Sequence, residues 1–174
     1  DSGATLEGIW LTHAHFDHAA GIAQLKKDTG AQFDASAPDT PFLERGRISF
    51  GPTADDPYPP VKVDHQLHDG ETVGVGDIKL TAHLTPGHTP GCTTWTMPVV
   101  ENGVRHTMID VCSVSVAGNP LVNNTAYPTI VQDYRGSLAK LKTMNAVVFL
   151  AAHASFFDKD AKLASRTAKG PKPF

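Results

Sequence analysis

The segment His13-Ala14-His15-Phe16-Asp17-His18 gathers three imidazoles and a carboxylate into six residues. Where a chain is extended, side chains two apart point to the same side, so His13, His15 and Asp17 can converge. His18, at the turn into a following helix, can face a second centre. Neutral imidazole and carboxylate suit zinc, and a zinc ion that keeps an open position for water does hydrolytic chemistry. A lone histidine on a strand is ordinarily packed or exposed; three with an aspartate at this spacing are not explained that way. Two metals need more ligands than this segment supplies. Thr85-Pro86-Gly87-His88-Thr89-Pro90-Gly91 presents one imidazole from a loop stiffened by two glycines and two prolines. His153 follows an apolar run at 146–151, read as a buried strand, at the kind of strand end where open sheets carry functional groups.

The elements that must position these groups show in the surrounding pattern. Residues 6–11 read as a short buried strand ending at Thr12. From His18 onward Ala19, Ile22, Ala23 and Leu25 recur at helical spacing, and Gly30 stands where a C-terminal cap glycine would. Residues 31–60 contain Pro38, Pro41, Pro52, Pro57, Pro59 and Pro60 and read mostly as surface loop, with at most a short helix near 40–44. From Val61 the pattern turns to β: Asp69-Gly70, Gly74 and Gly76-Asp77 punctuate short alternating runs and predict hairpins. Residues 93–100 and 104–111 read as strands joined at Glu101-Asn102-Gly103. Ile130, Val131, Tyr134, Leu138 and Leu141 mark a helix within 127–144, ahead of the strand at 146–151. The tail reads as helix from Asp158 to about Ala168 and then breaks at Gly170-Pro171.

No repeat or boundary divides residues 1–174, a length that suits one domain of roughly 100–200 residues. A hydrophobic content of 40% is enough for a core. The net charge of −3, with no basic run longer than Lys26-Lys27, leaves no electrostatic footprint for nucleic acid. No apolar stretch approaches the roughly 18 residues of a membrane span. The opening Asp1-Ser2-Gly3, with neither signal peptide nor initiator Met, reads as a processed or truncated product. Cys92 and Cys112 are too few for a disulfide framework and are not spaced as a zinc ribbon. The remaining histidines, His65, His68, His83 and His106, lie in polar hairpin text and are expected at the surface, whereas Trp10, Trp95 and Phe149 are expected in the core.

Together, the His-x-His-x-Asp-His segment, the Gly-His of the Thr-Pro-Gly-His-Thr-Pro-Gly loop and the late histidine resemble the metallo-β-lactamase superfamily, from about Ile9 to the C-terminus. The resemblance implies an α/β fold, an αββα sandwich with the site at the edge between its two sheets. It implies that His13, His15 and His88 bind a first zinc ion, and Asp17, His18 and His153 a second. The wording is most similar to subclass B3, which has His first in the motif, Asp with two His at the second metal, and text close to that of residues 87–95. Other branches place a cysteine ligand where Ser113 aligns here. In the B3 branch serines spaced as Ser113 and Ser115 help hold the substrate carboxylate; Asn119 would polarise the lactam carbonyl. No Lys stands between Ile109 and Thr129 to take the carboxylate as in another subclass. Cys112, one residue from the ligand slot, reads as a small buried residue or half of a disulfide, and Asp110 could imitate the bridging aspartate of glyoxalase-like members.

By the same resemblance the function is zinc-dependent hydrolysis of the β-lactam amide bond by a hydroxide shared between two zinc ions, with Asp17 as the catalytic residue that orients it and relays a proton. The implied partner is a small-molecule β-lactam, with no nucleic acid and no membrane; the protein would act as a monomer, exported to the periplasm or secreted, in antibiotic resistance. In that oxidising setting Cys92 and Cys112, at the ends of neighbouring predicted strands, would pair. The alternatives are another hydrolase on the same scaffold, a glyoxalase II-like thioesterase or a lactonase, which commonly has a further His where Cys92 stands, or a catalytically incompetent metal-binding fragment. Several strands precede the motif in this fold, but only one fits ahead of His13. The expectation is therefore a chain truncated at the N-terminus, and by its Pro173-Phe174 ending at the C-terminus, with the six ligands beside a small or open first sheet. Such a chain would be poorly soluble and nearly inactive alone.

Overall fold

A computed structural model describes residues 3–165. The Asp1-Ser2 opening and the expected end of the tail helix near Ala168 lie outside the described residues. Strands β1 (Gly8–Trp10), β2 (Gln32–Ser36) and β3 (His65–Leu67) form the first sheet in the order β1-β2-β3, every pair parallel. Parallel neighbours need crossovers. Helices α1 (Phe16–Ala19) and α2 (Ile22–Thr29) supply the first, and α3 (Thr40–Arg45) lies in the second. Helix α2 stops at Gly30, whose φ of 69° is the left-handed cap conformation predicted for it. The alternation of side chains splits this sheet between two cores. Ile9, Phe33 and Ala35 pack with Leu11, Ala19, Ile22 and Leu43 beneath the helices. Trp10, on the opposite face, packs with Leu67, Ala82 and Trp95 between the sheets.

The second sheet is β4 (Thr72–Val75), β5 (Ile78–Leu84), β6 (Thr93–Glu101), β7 (Val104–Val111) and β8 (Val148–Ala151), in that order. Its first four strands are antiparallel, and β8 pairs parallel to β7 after the crossover through α4 (Ile130–Leu141). Leu141 and Met144 meet Ile109, Val111 and Phe149 around a cleft on its outer side, which completes the αββα order of layers. A 3-10 turn (Ala154–Phe157) and helix α5 (Lys159–Ser165) follow β8. Among the described residues the first sheet has three strands and the second five. Among the described residues no helix is long and apolar enough to cross a membrane.

Four expectations need correction. Residues 31–60 are not mainly surface loop: Phe33, Asp34, Ala35 and Ser36 of β2 are buried, and Ile48, Phe50 and Tyr58 belong to the core. The polar text of β2 conceals a central strand because Asp34 is satisfied internally, by Trp10 Nε1 at 2.9 Å and Gln32 Nε2 at 2.8 Å. The proline-rich stretch is tied back by Tyr58 N–H to Gly46 O at 2.8 Å and Val61 N–H to Leu43 O at 3.0 Å. Strand β3 pairs parallel with β2 and forms no hairpin; the hairpin in this stretch is β4–β5, around Gly76-Asp77. Strand β8 is an edge strand, and Phe149 is 44% exposed, so it is not core as Trp95 is. His65 and His68 are exposed, but His83 and His106 are half-buried, with His83 Nε2 2.8 Å from Thr96 Oγ1 on the neighbouring strand.

Cys92 and Cys112 form a disulfide with Cα atoms 5.9 Å apart, inside the usual bridging range of about 4.4–6.8 Å. They sit just before β6 and just after β7, and the β6–β7 hairpin brings those two ends side by side. Replacing Phe33, fully buried between sheet and helices, tests the corrected position of β2. Phe33→Ala should cost about 3–5 kcal/mol in equilibrium urea denaturation, and a cost near zero would return β2 to the surface.

Candidate metal centre

The chain leaves β1 through Thr12, whose carbonyl accepts from Thr93 N–H at 2.8 Å and so anchors the departing segment to the start of β6. Ala14, between His13 and His15, is held on both sides: its N–H donates to Asp39 Oδ2 at 2.9 Å and its carbonyl accepts from Tyr58 Oη at 2.8 Å. Extended backbone ends at His15, which stands at the N-cap of α1 with φ −70° and ψ 153°. Because α1 starts at Phe16, the two-residue alternation stops there. Asp17 consequently does not join His13 and His15 but turns toward His18 and His153. His88 stands in a loop closed by Thr85 N–H to Cys92 O at 2.8 Å and Gly87 N–H to Thr89 O at 3.1 Å. Gly87 has φ 137° and faces the Tyr134 ring, so a side chain there would be both strained and blocked. His153 follows β8, just after Ala152 N–H binds Val111 O at 3.1 Å.

Six of the residues singled out above meet as two sets of three. The ligand-capable atoms of His13, His15 and His88 lie within 4.8 Å of one another, as do those of Asp17, His18 and His153. In the inner set His88 Nε2 is 3.0 Å from His15 Nδ1 and 3.2 Å from His13 Nε2. In the outer set Asp17 Oδ2 is 3.3 Å from His18 Nε2 and 3.4 Å from His153 Nε2, and the two nitrogens are 3.2 Å apart. The inner histidines are buried, whereas the side chains of Asp17 and His153 are 56% and 40% exposed. The sets therefore stack from the interior toward solvent, with the His13 and His18 ring centroids 4.2 Å apart. Cys92 and Cys112 also lie within reach of His13, but their sulfurs are bonded to each other and are not available as ligands.

The donor chemistry fits a metal. His88 Nδ1 lies 2.8 Å from Ser115 O; a carbonyl only accepts, so Nδ1 carries the proton and Nε2 turns its lone pair toward the other two rings. His13 Nδ1 is similarly engaged by Thr12 Oγ1 at 3.1 Å. Tetrahedral coordination with metal–nitrogen bonds of about 2.0–2.1 Å places ligand nitrogens about 3.3 Å apart, close to the spacings seen here. Burial, first, and then neighbouring imidazoles hold His13 well below the ordinary histidine pKa. Burial followed by His88 lowers His15 to about 4. His18 and His88 are also lowered, each mainly by burial. All four are thus kept in the form that binds a cation.

Ser113 and Ser115 stand beside this cluster. Ser115 Oγ is 3.3 Å from His88 Nδ1, Ser113 Oγ is 3.2 Å from Ser115 Oγ, and Ser115 O also accepts from Tyr134 Oη at 2.6 Å. Both serines line a cleft of about 310 Å³ with Val111, Val114, Phe149, Ala151 and Phe156. Asn119 is buried; its Nδ2 donates to Val116 O at 2.9 Å, and its side-chain carbonyl lies beside Gly51 of another loop. Asp110 does not join either set; it lies on β7 opposite Trp95. Asp39, Tyr58 and Thr12 hold the ligand segments and were not singled out in the sequence. Asp39 looks there like an ordinary loop residue between two prolines, and only its burial and partners distinguish it; burial raises its pKa to about 6.

The lowered histidines make the metal-free protein acid-sensitive. A group whose folded pKa lies below its unfolded value stabilises the fold above the unfolded pKa, and that stability is lost as pH falls through the folded one. Burial raises Asp39 and Asp110, and the Glu71 bond raises His65; these act in the opposite sense. His83, also lowered, and the carboxylates of Asp64, Asp69 and Glu71, held low, act in the same sense as the four clustered histidines. Stability of the metal-free protein should therefore fall between pH 6.5 and about 4, the window bounded by the ordinary and folded values of His15. Thermal unfolding across that range checks the sign, and a midpoint that rises on acidification would contradict it.

The family model described as Metallo-beta-lactamase superfamily matches residues 1–100. The hydroxyacylglutathione hydrolase of Maricaulis maris is 34% identical over 98 residues, which are 56% of this chain and 32% of that protein. Among solved structures, BJP-1, a subclass B3 metallo-β-lactamase of Bradyrhizobium japonicum, superposes with a TM-score of 0.91 at 43% identity, over 97% of this chain and 64% of that one. The FEZ-1 metallo-β-lactamase of Legionella gormanii gives 0.91 at 39% identity, over 97% and 66%. The chain thus spans about a third of the first curated relative and about two thirds of these solved structures. With a family match over more than half of its 174 residues, and two adjacent sets of side chains that could hold a metal, the chain belongs to the metallo-β-lactamase superfamily.

Proposed function

We propose that the protein carrying this chain is a dinuclear zinc hydrolase that opens the amide bond of β-lactams. The observation that carries the reading is the pair of adjacent three-donor sets, three histidines within and Asp17, His18 and His153 at the mouth, in a chain 43% identical to a subclass B3 enzyme over nearly all its length. Zinc ions bound there would polarise the substrate carbonyl and bring the pKa of a bound water toward neutrality.

The residues divide the remaining work. His13, His15 and His88 present neutral nitrogens from a buried floor, and the outer set opens to solvent where substrate arrives. Asp17 has the exposed carboxylate of the cluster; it would orient the attacking water and take its proton on Oδ, then return that proton to the leaving nitrogen. Ser113 and Ser115 would donate their hydroxyls to the substrate carboxylate, and the apolar wall of Val111, Val114, Phe149 and Phe156 would pack against the substrate's uncharged parts. Every group in this scheme comes from one chain, which supports action as a monomer. The disulfide supports an oxidising compartment, periplasmic or extracellular, and such a location suits a role in antibiotic resistance.

A second reading, thioester hydrolysis, is favoured by the likeness to hydroxyacylglutathione hydrolases over 98 residues. A chromogenic cephalosporin, a thioester and a lactone offered in parallel to the zinc-loaded protein separate the two readings; the cephalosporin should be the substrate turned over, and turnover of the thioester alone would exchange them. Asp17→Asn should lower kcat by about 10²–10⁴-fold, the usual worth of a general base. Elemental analysis should find two zinc ions, one of them lost in His88→Ala and the other in His153→Ala; one ion with no loss in either variant rejects the metal assignment.

A further inference from the structure

We propose that Asp39 is a positioning residue that locks the two loops of the inner zinc set to each other, and so governs the affinity of that site and not of the outer one. The proposal rests on the reading of His13, His15 and His88 as zinc ligands. Asp39 is 1% exposed and contributes no ligand atom to either set. Its carboxylate accepts three hydrogen bonds from two separate segments: Ala14 N–H at 2.9 Å and Thr89 Oγ1 at 2.8 Å on Oδ2, and Gly91 N–H at 2.8 Å on Oδ1. Ala14 lies between His13 and His15, and Thr89 directly follows His88. One side chain therefore ties together the two segments that carry all three inner histidines, although 75 residues separate His13 from His88.

Two further observations show that the carboxylate is directed to this task. Asp39 occupies the N-cap of α3, where an aspartate ordinarily accepts from its own helix, yet it makes no such side-chain bond. Gly91 closes directly onto it: a Cβ at residue 91 would meet Asp39 Cγ at 2.7 Å and Ser36 Oγ closer still. Among the described residues the carboxylate's hydrogen-bond partners are Ala14, Thr89 and Gly91, with none of Asp17, His18 and His153 among them. An amide in its place keeps the shape but has one acceptor oxygen, so its NH2 must oppose an N–H or O–H that now has no acceptor.

The test is a cycle with single-site backgrounds. In His153→Ala, which retains the inner set, adding Asp39→Asn should weaken the remaining zinc about 10–100-fold by chelator competition, as loss of a supporting hydrogen bond does at other metal sites. In His88→Ala, which retains the outer set, the same substitution should change zinc affinity by less than about twofold. Thr89→Val, which removes a single donor, should shift the inner site in the same direction by less, and it decides the matter if Asp39→Asn does not fold. Equal weakening of both sites in step with the thermal stability of the metal-free protein, or no weakening of the inner one, overturns the proposal. If the protein without substitutions fails to bind zinc through His88, the underlying functional reading fails instead, and the two failures are distinguishable.

Discussion

Bringing several imidazoles to one point is unfavourable unless they stay uncharged, and the architecture around the cluster follows from that requirement. In water each ring would titrate near pH 6.5, and a cluster of imidazolium ions at 3.0–3.2 Å would repel itself apart. Burial of His13, His15 and His88 disfavours the protonated form. Burial alone would leave ring nitrogens without partners, so the outward nitrogen of His88 is taken up by Ser115 and that of His13 by Thr12. What remains is a set of lone pairs facing one another in a buried floor, a donor set that fits a cation.

Maintaining that floor requires distant parts of the chain to meet and stay met. The segment after β1, the Gly-His loop and the end of β7 contribute to it, and each is closed onto another by a specific bond. Thr93 N–H holds the first segment at Thr12, the disulfide joins the Gly-His loop to the end of β7, and Asp39 reaches both ligand-bearing loops from α3. The parallel sheet supplies Asp39 because β2 runs alongside β1 and delivers its C-terminal end beside the histidines. Tyr58 comes from the proline-rich stretch folded over the same place.

The outer set has a different character. Asp17 and His153 are substantially exposed, and His153 stands after an edge strand whose Phe149 also faces solvent. A buried triad beside an open, solvent-facing one gives the cluster an interior end and an accessible end. Ser113, Ser115 and the apolar cleft lie along one side of it.

The donor residues that meet in the cluster were legible in the sequence because they are carried by local text. His13-Ala14-His15-Phe16-Asp17-His18 and the glycine–proline frame of His88 name the residues without any knowledge of the fold. The β6–β7 hairpin, the Gly30 cap and the core of α4 were legible for the same reason, since turn residues and helical spacing act over a few positions. Which side chains share a set was only partly legible: alternation would have grouped Asp17 with His13 and His15, whereas α1 begins at Phe16 and sends it to His18 and His153. The burial of β2, the parallel pairing of β3 and the reach of Asp39 were decided by tertiary structure alone. Each depends on a partner tens of residues away, and a polar side chain in the interior reads as surface until the group that satisfies it is known.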